Sequence, residues 1–187
     1  MHRKKGFTII EVVLVLAIGG LIFLMVFVAL PALQRSQRNT QRRRAADEVF
    51  AAVQTYLGNN NRLPFNYGNT AASRFDTNFI TRYVDSTCEY KGIEYTSKWG
   101  DQAFGYGFND CQGNFTDPDG ETYSILVMNG NSGGFLYDDE INHYIYLASG
   151  CKCGSSKEGT RVPTGKKNDF LVFTKMEGGA MYCVDNS

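Results

Sequence analysis

Glu11 is the first residue whose placement calls for a chemical reason. It stands directly before residues 12–33, a run of 22 residues without a charge. A carboxylate inside a membrane helix costs up to about 2.5–3.5 kcal/mol at full depth, so such residues are retained for a function and a partner. Ahead of it lie His2-Arg3-Lys4-Lys5 and then Gly6-Phe7. Five cysteines follow much later, Cys88, Cys111, Cys151, Cys153 and Cys183. None sits in a CxxC pair, and the only histidines are His2 and His143, a poor set for zinc. Asp117-Pro118-Asp119-Gly120-Glu121 resembles the opening of a calcium loop. It lacks the closing bidentate Glu of an EF-hand, and Pro-Asp-Gly is an ordinary turn signal, so Asp117, Asp119 and Glu121 are weak metal candidates. His143 has no matched nucleophile, and the Gly-rich segments lack the Lys-Ser/Thr of a phosphate loop. Neither an enzyme nor a cofactor is expected.

These residues need elements to position them. At about 1.5 Å per residue, residues 12–33 form a helix just over 30 Å long, enough to cross a bilayer core. A secretory signal would have a shorter apolar core with small residues after it. A plain anchor fits the length but leaves Glu11 unexplained. Three Lys/Arg precede the span, and Arg35, Arg38, Arg42, Arg43 and Arg44 follow it. The positive-inside rule would therefore place the C-terminal part in the cytoplasm. The short leader and the cysteine-bearing, Asn- and Gly-rich remainder point to export instead. Gly19, Gly20 and Pro31 lie within the apolar run, where each Gly costs a helix roughly 1 kcal/mol and Pro about 3 kcal/mol. Bending or local melting is expected between residues 23 and 31, with a mild kink in an otherwise continuous helix as the stronger expectation for an isolated subunit.

A short basic leader, Gly6, Phe7, a Glu five residues past the glycine and a long apolar run together resemble the class III signal of type IV pilins. The resemblance is closest over residues 1–57. It implies that 1–6 is a leader removed by a membrane prepilin peptidase, with Gly6 extending into that enzyme. Phe7 would then carry a free amine that is methylated. It implies further that Glu11 of an incoming subunit faces the Phe7 amine of a subunit already in a filament, neutralising both charges and setting the register. Subunits would leave membrane lipid through an assembly platform. Among the cysteines, the i, i+2 pair Cys151 and Cys153 is too strained to bridge itself and offers one partner to Cys183. The residues alone leave open which. Pilins often staple their C-terminal loop, which implies Cys153–Cys183. Cys88 and Cys111 then form a second bridge around residues 99–108, and Cys151 stays outside both.

Charge divides the chain. Residues 1–56 carry eight Lys/Arg against three Asp/Glu, a balance of +5, and residues 57–187 carry eleven against sixteen, −5. The acidic part has no electrostatic case for nucleic acid. Arg35, Arg38 and Arg42 make one helical stripe that could meet acidic neighbours, lipid head groups or, as a remote alternative, DNA. Ala45, Val49, Ala52, Val53 and Tyr56 mark an amphipathic helical face that stops at Gly58-Asn59-Asn60-Asn61. Phe75, Phe79 and Tyr83 predict a short helix, and residues 105–108 read as a loop. Strands are predicted over 121–128, 141–148, 170–176 and 180–184, with a turn at 129–134 and a hairpin at Glu177-Gly178-Gly179.

The expected fold is α+β. A long N-terminal helix over 7–57, with its membrane and assembly segment at 7–33, packs its amphipathic half on an antiparallel sheet of about four strands within a head spanning 58–187. The expected function is a self-assembling pilus subunit for adhesion, twitching motility or DNA uptake. A secretion pseudopilin and a membrane-anchored exodomain are the alternatives.

Overall fold

Helix α1 spans Ile9–Asn60. It belongs to a computed structural model that describes residues 6–66, 74–96, 104–111, 113, 115–128, 143–154, 161–164 and 166–187. The chain divides into two compact units, Met1–Arg38 and Asn39–Ser187.

In the first unit the helix is apolar all round from Val12 to Leu33, and its large side chains from Ile9 to Leu33 are exposed. It is long and apolar enough to cross a membrane. Helical structure continues through Gly19, Gly20 and Pro31. The melting expected between residues 23 and 31 is absent from this isolated subunit.

In the second unit α1 becomes one-sided. Ala45, Ala46, Val49, Ala52, Val53 and Tyr56 are buried at helical spacing. The helix ends where Asn61 takes a φ of 51° and its N–H donates to the Leu57 carbonyl at 2.8 Å. This is a left-handed cap, which asparagine tolerates better than a branched residue does. Pro64 follows and blocks any return to helix.

The buried face of α1 lies on a six-stranded sheet. Its strands are β3 (Glu89–Thr96), β4 (Phe104–Asn109), β5 (Ser124–Met128), β6 (Tyr144–Ser149), β9 (Phe170–Lys175) and β10 (Met181–Asp185), in the order β10-β9-β6-β5-β4-β3. Two further short pairs lie among the described residues. They are β1 (Phe65–Asn66) with β2 (Arg74–Phe75), and β7 (Cys151–Cys153) with β8 (Arg161–Pro163). Helix α2 is Phe79–Tyr83.

The sheet has six strands rather than about four, and one pair, β5 with β6, is parallel. A parallel pair needs a crossover of a dozen or more residues, and residues 129–143 supply it. The predicted turn at 129–134 and Ile141 lie outside the described residues. The segment 105–108, read as a loop, is the middle of β4. Its Phe104-Gly105-Tyr106-Gly107-Phe108 alternation has the period of a strand. Tyr106 and Phe108 bury their rings against Phe75, at 4.6 and 6.3 Å between centroids. Phe75 thus sits in β2, one turn ahead of the helix it was expected to begin. The hairpin at Glu177-Gly178-Gly179 joins β9 to β10, with positive φ at both glycines.

The central strands are buried on both faces. Ile125, Val127, Ile145, Leu147, Phe170 and Val172 join the helix side chains in one core. Leu126, Met128, Tyr146, Ala148, Leu171 and Phe173 form a second core with Cys151 on the opposite face. Two-sided burial explains why these strands read as continuous apolar runs rather than alternating ones.

Candidate functional site

The N-terminal site is built by one turn of helix. Gly6, Phe7 and Thr8 precede α1 and are exposed. Thr8 is the residue before the helix and caps it. Its carbonyl accepts from the Glu11 N–H at 3.1 Å. The Glu11 carboxylate reaches back, and its Oε2 accepts from the Thr8 N–H at 2.9 Å and from the Thr8 hydroxyl at 2.8 Å. Thr8-Ile9-Ile10-Glu11 is therefore a capping box, which satisfies N–H groups that the first turn leaves without partners. Glu11 has a partner within its own chain, and one carboxylate oxygen takes both donors. Thr8 was missed in the sequence, although Thr-x-x-Glu ahead of an apolar run is the signal that finds it. Helix formation stops two residues past Gly6, so the Gly6–Phe7 bond lies in non-helical, accessible chain. Residues 1–5 of the leader lie outside the described residues.

The basic stripe is broken by the fold. Arg43 and Arg44 are exposed, but Arg42 is 1% exposed and turned into the second unit. Its Nε donates to Asp117 Oδ2 at 2.9 Å and its NH2 group to Asp117 Oδ1 at 3.0 Å, a bidentate pair. The same NH2 group reaches Asp119 Oδ2 at 3.0 Å. Burial works against the charge on Arg42, but the hydrogen bonds and charge of Asp117, and then the charge of Asp119, outweigh it and raise its pKa. Burial likewise pushes the Asp117 carboxyl up. The Arg42 hydrogen bonds, the Asp119 N–H and the Arg42 charge together bring it below the usual value. Tyr123, buried beside this carboxylate, has its hydroxyl pKa pushed well up by burial and by the Asp117 charge.

The cation candidates Asp117, Asp119 and Glu121 lie together in one segment. They form a turn, in which the Gly120 N–H donates to the Asp117 carbonyl at 2.8 Å and the Asp117 N–H to the Glu121 carbonyl at 2.7 Å. Asp117 and Asp119 hold a guanidinium, and Glu121 faces His143 with Oε2 3.5 Å from Nε2. Arg42 is thereby withdrawn from the stripe considered for DNA or lipid.

Cys88 is bonded to Cys111, and Cys153 to Cys183, with Cα separations of 4.2 and 6.0 Å. Cys151 is buried outside both bridges. Asp85 lies close enough to Cys88 and Cys111 to form a metal-like group, but the two sulfurs are bonded to each other. Asp85 is otherwise engaged. It accepts from the Thr87 N–H at 2.9 Å, from the Thr87 hydroxyl at 2.6 Å and from the Gly113 N–H at 2.9 Å. A Cβ at position 113 would stand 2.5 Å from Asp85 Oδ2, so a larger residue there would have to displace that carboxylate.

Residues 1–27 match the family model described as the prokaryotic N-terminal methylation motif, the class III signal of type IV pilins. No curated protein and no solved structure matches the chain. The motif and the apolar helix behind it support a type IV pilin-like or pseudopilin protein. Such a motif implies processing by prepilin peptidase and assembly into a polymer. The same helix fits a membrane-anchored precursor.

Proposed function

We propose that this chain is a structural subunit of a type IV pilus, cut after Gly6, N-methylated at Phe7 and polymerised into a surface filament. The observation that carries this is the Gly6–Phe7 bond in accessible, non-helical chain, directly ahead of a capped helix whose large apolar side chains from Ile9 to Leu33 are exposed. The exposed helix is at home in lipid before assembly and among identical helices afterwards, two environments of similar polarity. Removal of residues 1–6 creates an ammonium at Phe7. The Glu11 carboxylate of another subunit is its charge partner, and pairing relieves the cost of both charges in an apolar interior. Thr8 restrains the Glu11 rotamer through Oε2 and leaves Oε1 for that contact. A pseudopilin shares this N-terminus. The two disulfides of the second unit favour an exported head that must endure outside the cell, where adhesion, twitching motility or DNA uptake would be its use.

Mass spectrometry of the surface-sheared fraction tests the proposal. The expected N-terminus is methylated Phe7. Glu11→Ala should be exported and cleaved yet missing from sheared filaments. Surface protein that retains residues 1–6 would overturn the proposal, and a normal filament yield from Glu11→Ala would show the charge contact to be dispensable.

A further inference from the structure

Between Glu11 and Asp47 the sequence holds no acidic residue, yet it holds Arg35, Arg38, Arg42, Arg43 and Arg44. Arg42 and Arg43 belong to the second unit and are met there, the first by Asp117 and Asp119 and the second by the Tyr182 ring. Arg35 belongs to the first unit and is exposed. The acidic residue of that unit, Glu11, lies about 36 Å back along the helix at about 1.5 Å per residue. Leu33 closes the apolar span and is exposed like the large side chains before it. Arg35 follows two residues later, about 3 Å further along the axis. Head groups occupy the outer 5–7 Å or so of each leaflet, the difference between a hydrocarbon core of about 30 Å and a bilayer of about 40–45 Å. A span that ends at Leu33 therefore sets the Arg35 guanidinium among the phosphates, with its methylene stem against apolar surface.

We propose, resting on the membrane-anchored stage of the function above, that Arg35, with Arg38 one turn beyond it, is a docking surface for the head groups of anionic phospholipid. A guanidinium is planar and always charged, and its fork of N–H groups matches two phosphate oxygens at once. Arg38 stands at i+3 from Arg35, and like charges at that spacing repel. An anion beside both relieves the repulsion. A zwitterionic head group brings an ammonium along with its phosphate and so gives less relief. Phosphatidylglycerol brings net negative charge.

Continuity with the span selects this occupant. The apolar surface directly before Arg35 faces lipid while the precursor is in the membrane, so head groups are the anions within reach. An acidic face of a second copy is the competing occupant, and it meets Arg35 only once subunits gather. Each arginine close to an anionic surface favours such lipid by about fivefold. The contact also fixes the depth of the span, since Leu33 cannot move outward without lifting the guanidinium off its phosphates.

The full chain in nanodiscs made from an equal mixture of phosphatidylcholine and phosphatidylglycerol tests this, with one chain in each disc. Native mass spectrometry of the released chain counts the adducts of each lipid. Wild type should retain phosphatidylglycerol in preference to phosphatidylcholine. Arg3, Lys4 and Lys5 of the leader also attract anionic lipid, so the comparison with Arg35→Gln carries the test. Arg35→Gln should lower the ratio of the two adducts by about two- to fivefold, and Arg35→Lys, which keeps the charge but loses the fork, by less. Equal retention of the two lipids by wild type, or the same ratio in wild type and Arg35→Gln, overturns the docking surface. Chemical cross-links between copies in pure phosphatidylcholine vesicles, lost in Arg35→Gln while its adduct ratio matches wild type, would assign the arginine to a second copy instead. A chain that enters bilayers of neither composition would overturn the membrane-anchored reading and this inference with it.

Discussion

Arg42 and Arg43 are neighbours in the chain, yet one is buried on two aspartates and the other lies over the Tyr182 ring, 5.4 Å from its centroid. The difference is one residue's step of about 100° around a helix. Arg42 falls on the stripe continued by Ala45, Ala46 and Val49, and so it must enter the core interface or break it. Once buried, a guanidinium needs partners, and the Asp117 turn meets it with matched geometry. Arg42→Gln should destabilise the second unit by about 3–5 kcal/mol, because it strands the buried Asp117 charge. Urea unfolding of the full chain in detergent measures this. Asp117 also sets an acid limit. Its carboxyl is lowered in the folded chain, so its contribution is present above the unfolded value of about 3.9 and is lost as pH falls through the folded value. Asp117→Asn should be less stable than wild type at pH 7 and should show a shallower loss of stability below about pH 4 in the same measurement.

Caps and turns fix the elements more firmly than propensity does. α1 begins at a reciprocal Thr8–Glu11 box and ends at Asn61 in left-handed conformation, and both ends are written in a few residues. Asn61→Ala should cost about 1–2 kcal/mol, the penalty of a Cβ at that φ, while Asn61→Gly should be close to neutral. Thermal unfolding of the two variants separates the cap from mere loss of an amide. Strand β4 shows the opposite case. Two glycines in six residues argue for a loop by propensity, but Tyr106 and Phe108 alternate with them and pack on Phe75. Packing of the aromatic face overrides the weak backbone preference.

At the scale of the molecule, two disulfides tie distant segments of the second unit. Cys88–Cys111 closes a separation of 23 residues and joins the entry of β3 to the exit of β4. Cys153–Cys183 closes 30 residues and fastens β7 to the edge strand β10. Asp185 strengthens the second tie by accepting from the Cys153 N–H at 2.8 Å. Each bridge should contribute about 3–4 kcal/mol in the chain-entropy model. Replacing Cys153 and Cys183 together by alanine should lower stability by that amount, measured by chemical unfolding. Non-reducing peptide maps of the wild type should show the 88–111 and 153–183 linked peptides.

The N-terminal third was legible from sequence because its determinants are local. A leader, a glycine, a carboxylate and an apolar run act through spacing along one helix, and no distant residue is needed to read them. The amphipathic face of residues 45–56 and the hairpin at Glu177-Gly178-Gly179 were legible for the same reason. Other features depended on residues far apart in the chain. Whether Arg42 belongs to a basic stripe or to a buried pair is decided by Asp117, 75 residues away. The same contact engages two carboxylates of the acidic turn, Asp117 and Asp119. The parallel pairing of β5 with β6 follows from which strand the crossover returns to, and no local pattern records that choice. Short-range rules set the helix, its caps and its hairpin. The sheet order and the partners of the buried charges came from long-range burial, which rewards contacts that the sequence does not place side by side.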